Sequence, residues 1–102
     1  MSVVVVATAF PLPEHRAEVI AAFEAAIPRV QEDPGCELYA LHEGPDRLVM
    51  IEKYTSQDAL AAHSKSPELA ELAASLKGKL SGRLDVQVLA PHPVGDEVKG
   101  AL

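Results

Sequence analysis

The segment from Cys36 to Tyr54 limits what this chain can fold into more than any other part of it. Two apolar-rich runs, Cys36 to Glu43 and Leu48 to Tyr54, flank the turn-forming tetrapeptide Gly44-Pro45-Asp46-Arg47, so they read as the strands of a β-hairpin. With Pro45 and Asp46 at the tip, paired positions sum to 91, which sets Tyr39 opposite Glu52. Period-two geometry then gathers Tyr39, Leu41, Met50, Glu52 and Tyr54 on one face and puts Leu38 and Ala40 on the other. Apolar groups on both sides mean that both sides need a cover.

The flanking segments supply one of those covers. Val3 to Ala9 is a β-branched run ending at Pro11 and Pro13, the pattern of a strand, a turn and a helix with proline at its start. From Glu14 to about Glu32, Val19, Ile20, Phe23, Ile27 and Val30 recur at spacings of three and four, which predicts a helix whose last turn is kinked or cut short by Pro28. Asp33-Pro34-Gly35 marks the stop. Thr55 or Ser56 caps a short helix to about Ser64, and Ser66-Pro67-Glu68 opens another that carries Leu69, Leu72, Ala73 and Leu76 on one stripe and ends near Gly78. Leu84 to Ala90, with Val86 and Val88 alternating against Asp85 and Gln87, is a last strand.

The order β-α-β-β-α-α-β predicts an α+β domain of the ferredoxin-like kind, an antiparallel sheet with helices on one face. Residues 1–90 form that single domain and 91–102 a tail rich in Pro, Gly and charge. The uncovered sheet face points to a homodimer joined through it, with an organic small molecule held in an apolar pocket. Val94, Val98 and Leu102 would let the tail reach a partner subunit but do not require it.

Charge and composition remove several function classes. Fifteen acidic residues against nine basic ones leave a net charge of -6, with the cations scattered, so neither nucleic acid nor an anionic membrane is an expected partner. No apolar run approaches the roughly 20 residues of a membrane span, and no basic leader opens the chain, so the expected location is cytoplasmic. The single Cys36 has no basic neighbour to make it a thiolate and no second cysteine to pair with; a small packed hydrophobe is the natural reading. No glycine-rich nucleotide loop, Walker lysine, Gly-x-Ser-x-Gly elbow or metal-spaced cluster occurs, so neither a cofactor nor a metal site is expected.

What remains is a small set of polar groups. Glu52 lies mid-strand among apolar residues, where an ionised carboxylate is costly; it is hydrogen-bonded, raised in pKa or open to a cavity. His63 follows Ala59 and Leu60 by four and three residues, on the inward side of its short helix, as a structural histidine or a proton-transfer group. Tyr39 and Tyr54 pack there with their hydroxyls at the rim, as packing groups or as ligand contacts. His15 and His42 read as surface residues, and His92 lies in the tail.

The spacing Gly35-Cys36-x-x-Tyr39-x-Leu41, then Met50-x-Glu52-x-Tyr54, then Ala59-Leu60-x-x-His63 followed by Ser66-Pro67, resembles the antibiotic biosynthesis monooxygenase family, and the likeness runs from Val3 to about Ala90. The resemblance implies a dimeric α+β barrel and oxidation of phenolic or quinol-type substrates by dioxygen without metal or flavin. It makes Glu52 and His63 the expected catalytic residues, removing or holding the phenolic proton. Tyr39, Tyr54, Met50 and Leu41 become the expected substrate-binding set. Tyr54 stands where tryptophan is usual and Met50 where phenylalanine is usual, so a relative's substrate does not carry over. A similar haem-degrading branch needs asparagine, tryptophan and histidine where this chain has Ala7, Tyr54 and Ala73, which argues against haem.

Two other functions use the same residues. A non-oxidative isomerase of a small oxygenated metabolite would employ Glu52 and His63 as an acid/base pair. A non-catalytic small-molecule-binding dimer would use them only to tie helix to sheet.

Overall fold

Tyr39 does pair with Glu52, and the expected register holds along most of the hairpin. In the computed structural model, which describes residues 1–102, β2 (Cys36–Glu43) and β3 (Leu48–Tyr54) run antiparallel, with one irregularity between Cys36 and Leu38. β1 (Val3–Ala9) and β4 (Asp85–Leu89) complete an open four-stranded antiparallel sheet in the order β2-β3-β1-β4. α1 (Arg16–Gln31), α2 (Gln57–Ser64) and α3 (Pro67–Leu76) lie on one side of it. The architecture is ferredoxin-like, as expected; a barrel would need this open sheet to be closed by something beyond the single chain.

Each helix begins where its capping chemistry allows. Pro13 opens a single 3-10 turn, Pro13–His15, that leads into α1. Ser56 caps α2 by accepting from the Ala59 N–H at 3.1 Å, and Ser66 caps α3 by accepting from the Leu69 N–H at 3.3 Å. Gly78 adopts φ +78° just past α3, a left-handed conformation that suits glycine. Pro28 does not end α1, which continues to Gln31. Its ring is exposed, while Ala26 and Val30 on either side are buried, so their packing holds the last turn despite the missing hydrogen bond.

The core forms where α1 and α3 meet the sheet. Val19, Phe23, Val30, Leu72 and Leu76 from the helices pack on Ala9, Leu48 and Met50 from the strands. The opposite sheet face carries Val4, Val6, Val49 and Ile51, all half-buried and without a helix over them. Near one corner of that face the tail folds back, and Lys53 Nζ donates to the Leu102 carbonyl at 2.7 Å. No helix is long and apolar enough to cross a membrane.

Candidate active site

Strand register explains why Glu52 is central. It pairs with Val5 on β1 and Tyr39 on β2, and Val5 pairs in turn with Val88 on β4, so one row of side chains crosses the sheet on its helical side. The next row is Val86, Ala7, Met50 and Leu41. Period-two geometry therefore delivers a carboxyl group to the layer beneath the helices, where it is 5% exposed.

α2 brings the histidine over that row. The approach depends on Gly35, because a Cβ there would stand only 2.8 Å from the Ala59 Cβ, and the Thr55 N–H donates to the Gly35 carbonyl at 3.0 Å. With α2 seated on the hairpin, His63 is buried to the same extent as Glu52. Its ring meets Tyr39 edge-on with centroids 5.5 Å apart and Tyr54 at a tilt with centroids 5.0 Å apart.

The polar contacts are few and asymmetric. The Tyr54 hydroxyl donates to Glu52 Oε1 at 2.6 Å, the only hydrogen bond the carboxyl makes within the chain. His63 Nε2 stands 3.9 Å from the same oxygen, too far for a direct bond. Despite that proximity the two are not an ion pair, because burial drives both toward their neutral forms. Burial pushes the Glu52 carboxyl up to about 7, opposed by the Tyr54 hydrogen bond, and burial pulls the His63 imidazole below its ordinary value. Burial likewise raises both phenols, most of all Tyr54, which also loses a favourable bond if it ionises. No polar side-chain atom is fully buried without a partner, so the second Glu52 oxygen, the His63 nitrogens and the Tyr39 hydroxyl, which make no hydrogen bond within the chain, keep access to open space.

A cavity of about 160 Å³ lies beside these groups, between sheet and helices. Tyr39, Glu52 and His63 supply its polar functions, Met50 and Phe23 part of its apolar wall, and Leu84 and Val86, both partly exposed, its opening. Of the six residues singled out from sequence, Tyr39, Met50, Glu52 and His63 border it. Tyr54 and Leu41 do not: Tyr54 is fully buried beside Glu52 on the same face of β3, and Leu41 packs on the core. Sequence reasoning missed Phe23, Leu69 and Leu72 as wall residues, since a helical apolar stripe looks the same whether it meets a core or a cavity. It had no signal for Val86 as a rim residue. Cys36 is half-buried, with its thiol raised by burial, and it does not line the cavity. No group of three or more His, Cys, Asp or Glu side chains is arranged to hold a metal.

A ferredoxin-like sheet with a buried carboxyl and imidazole bordering an apolar pocket under its helices defines a class of small α+β proteins, and comparison with known proteins makes the class specific. The sequence profile described as Antibiotic biosynthesis monooxygenase matches residues 2–75, and the chain belongs to that family. Rv0793 of Mycobacterium tuberculosis, which carries a monooxygenase name, is 35% identical over 91 residues, covering 87% of this chain and 90% of its own. YgiN of Escherichia coli K12, whose name places it among quinol monooxygenases, is 28% identical over 92 residues, covering 79% and 88%. The solved structure of Rv0793 superposes with a TM-score of 0.88 at 32% identity, over 94% of this chain and all of that one. A Caulobacter crescentus structure bearing the antibiotic biosynthesis monooxygenase name follows at 0.82 and 26%, over 86% and 87%.

Proposed function

We propose that this chain oxidises a phenolic or quinol-type small molecule with dioxygen, with Glu52 as the base and His63 as a hydrogen-bond donor to the substrate oxygen. The observation that carries this reading is the Glu52 carboxyl, raised to about 7 and set on the wall of an apolar cavity beside a neutral imidazole. A general base works best when its pKa lies near the operating pH, and burial pushes this one up to about 7. Against a phenol of pKa about 10, the rise from 4.5 narrows the cost of proton transfer by about 3 kcal/mol.

The chemistry follows from the residues in place. A phenolic oxygen seated between Glu52 and His63 gives its proton to the carboxylate and accepts a hydrogen bond from the imidazole N–H. The resulting phenolate, enclosed by apolar walls that slow its quenching by water, passes one electron to dioxygen. The two radicals join through a carbon–oxygen bond at a ring carbon bearing hydrogen, and the peroxide takes up the proton held by Glu52. Loss of that carbon's proton then breaks the oxygen–oxygen bond and releases water. One substrate and one dioxygen thus yield one quinone and one water, and these steps call for no metal or flavin. Tyr54 does not touch substrate here; its hydroxyl holds the carboxyl from the side.

We also infer that a second copy covers the open sheet face, burying Val6, Ile51 and their neighbours, because a half-apolar face of this size is unusual on a monomer. Sedimentation of the wild type as a dimer, and of Ile51→Asp as a monomer, is the expected result.

Oxygen uptake by the metal-free protein with a panel of quinols and phenols tests the activity. Uptake should occur and should fall in folded Glu52→Gln and His63→Ala variants. Absence of uptake across the panel refutes the reading, and turnover that persists without oxygen would favour an isomerase.

A further inference from the structure

We propose that the substrate is a single-ring phenol with its hydroxyl function at one end and an apolar substituent at the other, rather than a fused polycyclic one. This rests on the phenol-oxidising reading above and narrows it by shape and polarity.

Size is the first argument. An apolar cavity of about 150 Å³ accommodates one benzene ring, whereas drug-sized ligands fill roughly 300 Å³ or more. The cavity here is about 160 Å³. Its walls cannot retreat cheaply: Phe23, Met50 and Leu72 are each 6% exposed or less and belong to the main core, so a second fused ring would have to displace close-packed side chains.

Polarity is the second. Unused hydrogen-bonding capacity is confined to Tyr39, Glu52 and His63, which lie within one cluster of rings and carboxyl. The rest of the lining is apolar apart from Ser64, which is exposed at the edge. A matching ligand has one hydroxylated pole and an apolar body. The way out passes Leu84 and Val86, 39% and 51% exposed, so a substituent para to the buried hydroxyl would leave between two apolar side chains and need not be short.

Calorimetric titration of the full-length protein with 4-propylphenol, 2-naphthol and 9-phenanthrol tests the size limit directly, and oxygen uptake with the same phenols runs beside it. The alkylphenol should bind about tenfold or more tightly than the naphthol, the cost of overpacking one ring, with no saturable binding of the phenanthrol. Leu72→Ala, or Leu69→Ala if the first fails to fold, should shift that preference about tenfold toward the naphthol. Naphthol or phenanthrol binding as tightly as the alkylphenol overturns the inference, as does an unchanged preference in a folded enlarged variant. Single-ring selectivity without oxygen uptake sustains the size limit and refutes the oxidation. Rapid uptake with the two-ring phenol does the reverse.

Discussion

β1 and β4 are neighbours in one sheet, both carry small apolar side chains toward its helical side, and their fates differ completely. Val5 pairs with Val88 and Ala7 with Val86, on the same helical side. Yet Val5 and Ala7 are 2% and 8% exposed, while Val88 and Val86 are 52% and 51% exposed. The helices cover β1 and β3 and stop short of β4. The pocket lies at that margin, closed where the cover is complete and open where it ends. The proposed roles of Glu52 and His63 need both conditions, burial to shift their pKa values and an opening to admit substrate.

The largest effect should come from the covered side. Glu52→Gln keeps the shape and removes the proposed base, and oxygen uptake should fall roughly 10²- to 10⁴-fold. In the wild type, uptake should rise with pH through about 7 as Glu52 ionises, and a pH profile with no such limb would show that another group is the base.

Burial of Glu52 should also be visible in stability. Its folded pKa of about 7 lies above the ordinary 4.5, so the fold prefers the protonated form; stability from this group is full below 4.5 and is lost as pH rises through 7. The loss amounts to about 3 kcal/mol, and denaturant unfolding at roughly pH 5 and roughly pH 8 should show it in the wild type and not in Glu52→Gln. His63 acts in the opposite sense, since its lowered pKa stabilises the fold above 6.5 and that contribution fades as pH falls. The Gln variant should therefore become less stable toward acid, where the wild type is partly compensated.

Equal truncations of the paired valines test the comparison itself. Val5→Ala should cost about 1–3 kcal/mol, whereas Val88→Ala should stay within about 0.5 kcal/mol for a strand left open to solvent. A large loss at Val88 would mean that something, such as a second copy, covers β4 in solution. Tyr54→Phe should cost about 1 kcal/mol of stability for one hydrogen bond. Because that bond lowers the Glu52 pKa, its removal should move the activity limb to higher pH, a shift that packing alone would not produce.

Sequence determined the element order, the hairpin register that sets Tyr39 against Glu52, and the inward side of α2 that carries His63, because turn chemistry, period-two alternation and helical spacing are local properties. It marked Glu52 as anomalous, since a carboxylate in an apolar strand needs an explanation wherever it lies. Tertiary structure alone decided that Pro28 stays inside a continuous helix and that Tyr54 holds Glu52 without reaching the cavity. It also decided that Phe23 and Leu72 wall a pocket and that Val86 rims it. These last outcomes depend on how far the helices extend across the sheet, and an apolar side chain carries no local mark of whether its neighbour will be another side chain, an empty space or water.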